Sequence, residues 1–226
     1  MKHEESFALG DDEMPIAPPP GPRRRQPKPK DAATLVLIRN GREVMLGQRA
    51  KGHVFMPDKW VFPGGRVDRG DARAKAASEL TAETEALLRR GKVSRPPRAF
   101  ALAATRETCE ETGLRVGGPE GPDLAKLSFI ARAITPPNRS RRFDARFFMA
   151  DAAEVLCDDC PVAGEELLHT EWFPFQEAEK LDLPSITRFV LKEAQARLDG
   201  APIDPPFLYA VRGQRRMQRL SLADLG

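Results

Sequence analysis

The sequence predicts an α+β fold, specifically an α/β/α sandwich on a mixed β-sheet. Three observations point there. Short β-branched runs bounded by turn residues read as strands. Two or three stretches rich in Ala, Leu, Glu and Arg read as helices. The order of the two types does not alternate as a doubly wound fold requires. With 226 residues and 41% hydrophobic content, the chain suits one domain with extensions and can bury a core.

Residues 1–31 are expected to be a disordered, solvated tail. "MPIAPPPGPRRRQPKPK" joins proline to five basic residues without helical or strand periodicity. The domain is expected over 32–200, with an insert at about 72–97 and a C-terminal extension over 201–226. It opens with "AATLVLIRNGREVMLGQRA", two apolar runs around Asn40-Gly41, a strong hairpin signal. "VFPGG" then ends a strand and lets backbone approach a ligand closely.

Residues 72–90 are rich in helix formers and predict a helix stopped by Gly91, and Pro96-Pro97 reset the chain. A second helix is expected over about 98–112. "LSFIARAITPP", "RRFDARFFMAD" and "ELLHTEWFPF" read as strands. "PSITRFVLKEAQARL" carries a helical stripe at Ile186, Phe189, Val190, Leu191, Ala194 and Leu198, with Ser185 and Asp182 as candidate caps after or before Pro184. The extension is expected to fold as a hairpin over Arg212-Gly213.

The charge balance, 36 basic against 33 acidic residues, argues against nucleic acid or an anionic membrane as main partner. No apolar run approaches the roughly 18 residues of a membrane span. The N-terminus lacks the apolar core of a signal peptide. Three cysteines give no disulfide framework, so a reducing, cytoplasmic setting is expected. Cys157 and Cys160 form a C-x-x-C with only His169 nearby, too few ligands for zinc, and are read as an incidental pair.

The stretch with the most chemistry is "RETCEETGL", residues 106–114. On a helix, Glu107, Glu110 and Glu111 share a face. Their mutual repulsion would be relieved by a divalent cation, and Mg2+ favours carboxylate oxygens and phosphate co-ligands. Arg106 stands where it can fix a carboxylate rotamer. A solvated acidic face is the plain alternative, and the neighbouring "FPGG" and Gly113 shift the balance towards a site.

These residues resemble the Nudix box, G-x5-E-x7-R-E-U-x-E-E-x-G-U, where U is a bulky aliphatic. Arg106, Glu107, Glu110, Glu111, Gly113 and Leu114 match its second half, and Gly65 with Asp71 resembles the first, with Asp for Glu. The resemblance spans residues 32–198. Asp71 and Arg106 are 35 positions apart where the pattern puts eight, position 98 is Arg, and Thr108 replaces the aliphatic. Such an interrupted box resembles a coenzyme A diphosphatase subgroup, whose members show stretches like Phe55-Met56-Pro57, Val61 to Gly65, and Arg141 to Phe148 here.

The resemblance implies a metal-dependent pyrophosphohydrolase acting on a nucleoside diphosphate linked to another moiety, with coenzyme A or acyl-CoA first and ADP-ribose or NADH next. A non-catalytic Nudix-fold nucleotide-binding regulator is the alternative of another class. The implied metal ligands for Mg2+ or Mn2+ are Glu107, Glu110 and Glu111, with Arg106 orienting Glu107. Glu165, Glu166 and Glu171 are candidates for a downstream ligand or base, with Glu166 placed first. Arg49, Phe62, Gly64, Gly65 and Arg142 are the implied substrate contacts. A coenzyme A signature, L-L-T-x-R-[SA]-x3-R-x3-G-x3-F-P-G-G, fits at Arg49-Ala50 and Phe62 to Gly65. Gly47, Val54 and Asp58 depart from it.

Arg49, Lys51, His53, Arg141 and Arg142 could meet a 3′-phosphate. Trp60 is a candidate wall of the base site, and Cys109 is expected to face the core. Leu80, Leu87 and Leu88 of the insert are read as a lid or a homodimer contact.

Overall fold

The computed structural model describes residues 5–6, 27–49, 58–91, 93–137, 139, 141–157, 167–201, 204–211 and 214–225. Most of the expected tail lies outside them. So do Lys51, His53, Phe55-Met56-Pro57, Cys160, Glu165, Glu166 and the Arg212-Gly213 turn.

The strands in chain order are β1 (Glu5–Ser6), β2 (Lys30–Arg39), β3 (Glu43–Arg49), β4 (Trp60–Val61), β5 (Gly64–Arg66), β6 (Arg115–Val116), β7 (Ser128–Ile134), β8 (Phe143–Asp151), β9 (Leu156–Cys157), β10 (Leu167–Pro174), β11 (Pro206–Val211) and β12 (Gln214–Arg219). The helices are α1 (Ala82–Leu88), α2 (Pro97–Thr112), α3 (Ala152–Val155), α4 (Phe175–Ala178) and α5 (Ser185–Leu198). The main sheet runs β1-β12-β11-β7-β8-β2-β3-β10, with β5 against β2 and β4 against β3. β2–β8 and β7–β11 are parallel and the other pairs antiparallel, so the sheet is mixed.

Both faces of the sheet are covered. β2 shows why: Ala33, Leu35 and Leu37 point into one core with α1 and α2, while Val36 and Ile38 point into the other with α4 and α5. The α/β/α sandwich is therefore the observed architecture. The β2–β3 hairpin turns at Asn40-Gly41, both in the left-handed region at φ 55° and 61°, as the central residues of a primed turn need; the Arg42 N–H donates to the Arg39 carbonyl at 3.1 Å, and Arg39 pairs with Glu43. In the C-terminal extension β11 and β12 pair antiparallel.

α2 is buried on every side in its first half, with Ala99 through Thr105 all inside. A helix buried all round needs a cover opposite the sheet. The insert supplies it: Leu80, Leu87 and Leu88 belong to the same core as Phe100 and Leu102. They are thus interior residues, not a lid or a dimer contact. The insert also corrects the expected helix over 72–90. Only Ala82–Leu88 is helical, after a 3-10 turn at Asp71–Arg73, and Thr81 caps it by accepting from the Thr84 N–H at 3.2 Å. Residues 74–80 stay out of the helix and are tied to outside partners, including Ala77 N–H to Pro122 at 2.9 Å, so tertiary contacts override alanine-rich propensity.

At α5 neither Ser185 nor Asp182 caps: Pro184 precedes the helix without a side-chain cap. Leu198 of its expected stripe is exposed.

Beneath α2, Arg146 of β8 is fully buried. Its guanidinium lies 3.9 Å from the Phe100 ring centroid and donates to Asp31 and the Asp144 carbonyl. Burial pushes it down to about 10, so it stays charged near neutrality.

Gly41 has open space around it, so its role is conformational. Gly41→Ala is expected to lower stability by about 1–2 kcal/mol through left-handed strain alone, read as a shifted urea midpoint with unchanged slope.

Candidate active site at the end of helix α2

The acidic face sits where α2 leaves the core. A run of seven consecutive buried residues, Ala99 to Thr105, precedes it, and Gly113 ends the helix in the left-handed conformation at φ 72°, its N–H donating to the Cys109 carbonyl at 2.9 Å. Thr108 is buried where an aliphatic residue would be expected. Its hydroxyl donates to the Ala104 carbonyl at 2.8 Å, which makes a polar residue tolerable there. Cys109 is half-buried rather than fully in the core.

Arg106 organises the site. Its Nε and Nη2 donate to the two oxygens of Asp71 at 2.9 and 3.2 Å. Nη1 donates to Glu107 at 2.8 Å and Glu110 at 2.9 Å, and Nη2 also reaches the Arg66 carbonyl at 3.0 Å. Asp71 is only 4% exposed and accepts the Asp68 N–H at 2.7 Å. Asp71's hydrogen bonds, then the charge of Glu107, hold the Arg106 guanidinium well above its ordinary range despite partial burial.

Asp71 and Arg106, far apart in sequence, thus meet as a forked ion pair. A carboxylate at position 98 could not do this. Eight residues of helix rise about 12 Å, and 98 lies in the first turn of the same helix.

The glycines fit the glutamates. The Gly64 N–H donates to Glu111 at 2.7 Å, and Glu111 is 3% exposed. Gly64 therefore orients a carboxylate. Any Cβ on Gly65 would lie 2.4 Å from the Glu107 carboxylate, and one on Gly64 would lie 2.5 Å from the Ala33 carbonyl. Glu110 is the open member of the set, with its side chain 57% exposed. Among the described residues, no three His, Cys, Asp or Glu side chains already stand as a metal-holding group. The glutamate oxygens face Arg106 and the Gly64 N–H.

The structure thus gathers Arg106, Glu107, Glu110, Glu111, Gly64, Gly65 and Asp71. The other expected residues sit on other parts of the fold. Phe62 is buried in the core with α5. Arg49 ends β3, facing Leu167 of β10 in register. Arg142 donates to the Thr135 and Pro27 carbonyls at 3.1 Å each, at the start of β8.

Glu171 opposes Leu46, which belongs to the α5-side core, while its neighbour Trp172 opposes Met45 of the α2-side core. Glu171 therefore projects to the sheet face away from α2, where it meets His169 at 3.0 Å. Trp60 packs edge-on against Phe173 at 4.9 Å on that same side. Arg98, Arg95 and Asp68 brace the segment around Asp71; the sequence marked position 98 only as an Arg where the pattern has Glu, and Arg95 and Asp68 not at all.

No family model matches the chain, and no curated protein matches it. Solved structures do. The Nudix hydrolase from Alicyclobacillus acidocaldarius is 27% identical, with 75% of this chain and 92% of that chain covered and a TM-score of 0.56. The Nudix domain of Shewanella oneidensis NrtR, solved with ADP ribose, is 14% identical over 76% of this chain and 90% of that one, with a TM-score of 0.49. The MutT protein from Methanosarcina mazei Go1 is 15% identical over 77% and 98%, also at 0.49.

Gly65→Ala is expected to push Glu107 from its seat and cost about 1–3 kcal/mol as overpacking, measured by chemical denaturation. Unchanged stability would show that the contact yields freely. The two stretches that resemble halves of the Nudix box meet at Arg106, and the chain has the fold of the Nudix hydrolases, which are phosphoanhydride hydrolases.

Proposed function

We propose that this chain is a metal-dependent pyrophosphohydrolase that opens a phosphoanhydride in a nucleoside diphosphate linked to another moiety. One observation carries the reading: Arg106 joins Asp71, Glu107 and Glu110 in one network, beside a Glu111 oriented by Gly64. A plain solvated helix face requires neither a buried carboxylate nor a glycine shaped around another.

The residues fit a hard divalent cation, Mg2+ or Mn2+. Glu107, Glu110 and Glu111 offer oxygen donors at one helix end, and Gly65 leaves room for the first of them. When bound, the ion would neutralise charge developing on the phosphoryl oxygens. Arg106 holds the rotamer of Glu107 and Gly64 that of the buried Glu111, so that little reorganisation is needed on binding. Water attacks one phosphorus, the bridging P–O bond breaks, and the leaving phosphate departs with the electron pair. Glu166 is the proposed base. Glu171, on the opposite face, is the weaker choice.

Coenzyme A or acyl-CoA is the proposed substrate, on the sequence likeness running from Arg49 to Gly65. Arg49 is the proposed phosphate contact. Arg142 could join it only by leaving its two carbonyl partners. No helix is long and apolar enough to cross a membrane among the described residues.

The test is product identification by mass from CoA, acyl-CoA, ADP-ribose and NADH with Mg2+. Release of 3′,5′-ADP with a 4′-phosphopantetheine is expected, and cleavage confined to ADP-ribose or NADH overturns the substrate. Glu110→Gln and Glu111→Gln are each expected to lower kcat by roughly 10²–10³-fold, the scale of a lost charge-stabilising group. Wild type no faster than these variants on every substrate would leave only a binding module.

A further inference from the structure

The Asp71 carboxylate comes from a segment with almost no regular structure of its own, a single 3-10 turn of three residues. Two arginines at the start of α2 hold that segment. Arg98 Nη1 donates to the Ala72 carbonyl at 2.5 Å, Nη2 to the Ala74 carbonyl at 3.2 Å, and Nε to Glu79 at 3.1 Å. Arg95 Nη1 donates to the Asp68 carbonyl at 3.1 Å, while its Nε lies 3.5 Å from Asp31. The partners Asp68, Ala72 and Ala74 bracket Asp71 on both sides.

A guanidinium suits this task. Its planar fork reaches two carbonyls at once in fixed geometry, which one ammonium does not. Arg98 is also the residue eight before Arg106, where the family pattern has a glutamate.

We propose that Arg98, assisted by Arg95, is a positioning residue. It clamps the 68–74 segment so that Asp71 presents both oxygens to Arg106, which in turn orients Glu107 and Glu110. The cation at position 98 and the carboxylate at 71 act as one unit that replaces the missing glutamate. The inference rests on the proposed reading of the glutamates as the metal-binding, hydrolytic set.

The experiment compares wild type, Arg98→Ala, Arg98→Lys, Asp71→Asn and the Arg98→Ala/Asp71→Asn double variant. It reads Mn2+ affinity by calorimetry, kcat and KM on the cleaved substrate, and amide exchange over 68–74. Arg98→Ala is expected to weaken Mn2+ binding and lower kcat by roughly 10-fold each, the scale of a lost outer-shell partner, with KM little changed. Exchange over 68–74 should rise. Arg98→Lys should recover part of both effects, and in the Asp71→Asn background Arg98→Ala should add nothing further.

A merely structural arginine would lower the unfolding midpoint and leave Mn2+ affinity and kcat of the folded protein unchanged. That result, or effects that multiply in the double variant, overturns the proposal while leaving the hydrolase reading intact. A wild type that neither binds Mn2+ nor cleaves any substrate overturns both.

Discussion

The forked ion pair between Arg106 and Asp71 is the constraint on which the site depends. It fixes one guanidinium against a buried carboxylate, and that guanidinium then fixes Glu107 and Glu110. Arg106 is partly buried, so its bonds to Asp71 and Glu107 are stronger than their counterparts in water and costlier to leave unmade, while that to Glu110 is open to solvent. The pair also explains how a 35-residue separation is tolerated. Closing a loop costs only about 0.6 kcal/mol more for each doubling of its length, and here the loop folds against the domain.

The insert is therefore part of the domain's scaffolding. Its leucines cover the outer face of α2, and its first residues accept hydrogen bonds from Arg98. One helix thereby has two environments. Its alanine-rich first half packs between sheet and insert, and its last turns carry the carboxylates, Glu110 open to solvent and Glu111 turned inward to the Gly64 N–H. Each fully buried leucine contributes roughly 1.5–3 kcal/mol, which anchors the helix whose far end must place three like charges.

Much of the fold was legible because periodicity and turn chemistry agreed. Asn40-Gly41 set a primed turn, and the apolar β-branched run before it is β2, whose residues alternate between two cores. Gly113 marked the end of α2. Residues 72–90 misled because alanine-rich composition reports intrinsic preference, while Ala77 and Ser78 are held by partners near Pro122 and Asp123. The residues of the box could be named from spacing, but what braces them could not. Arg98 looked like a lost glutamate because its carbonyl partners have no sequence signature. The side of the sheet that Glu171 faces depends on a strand register with an irregularity between Leu167 and His169, which alternation alone does not reveal.

Glu107, Glu110 and Glu111 are proposed to form one cation site at the end of α2. Calorimetric titration of Mn2+ into wild type and into the Glu107→Gln/Glu110→Gln/Glu111→Gln variant tests it most directly, with circular dichroism confirming that both are folded. Saturable binding to wild type and none to the folded variant is expected. Equal binding by both would contradict it.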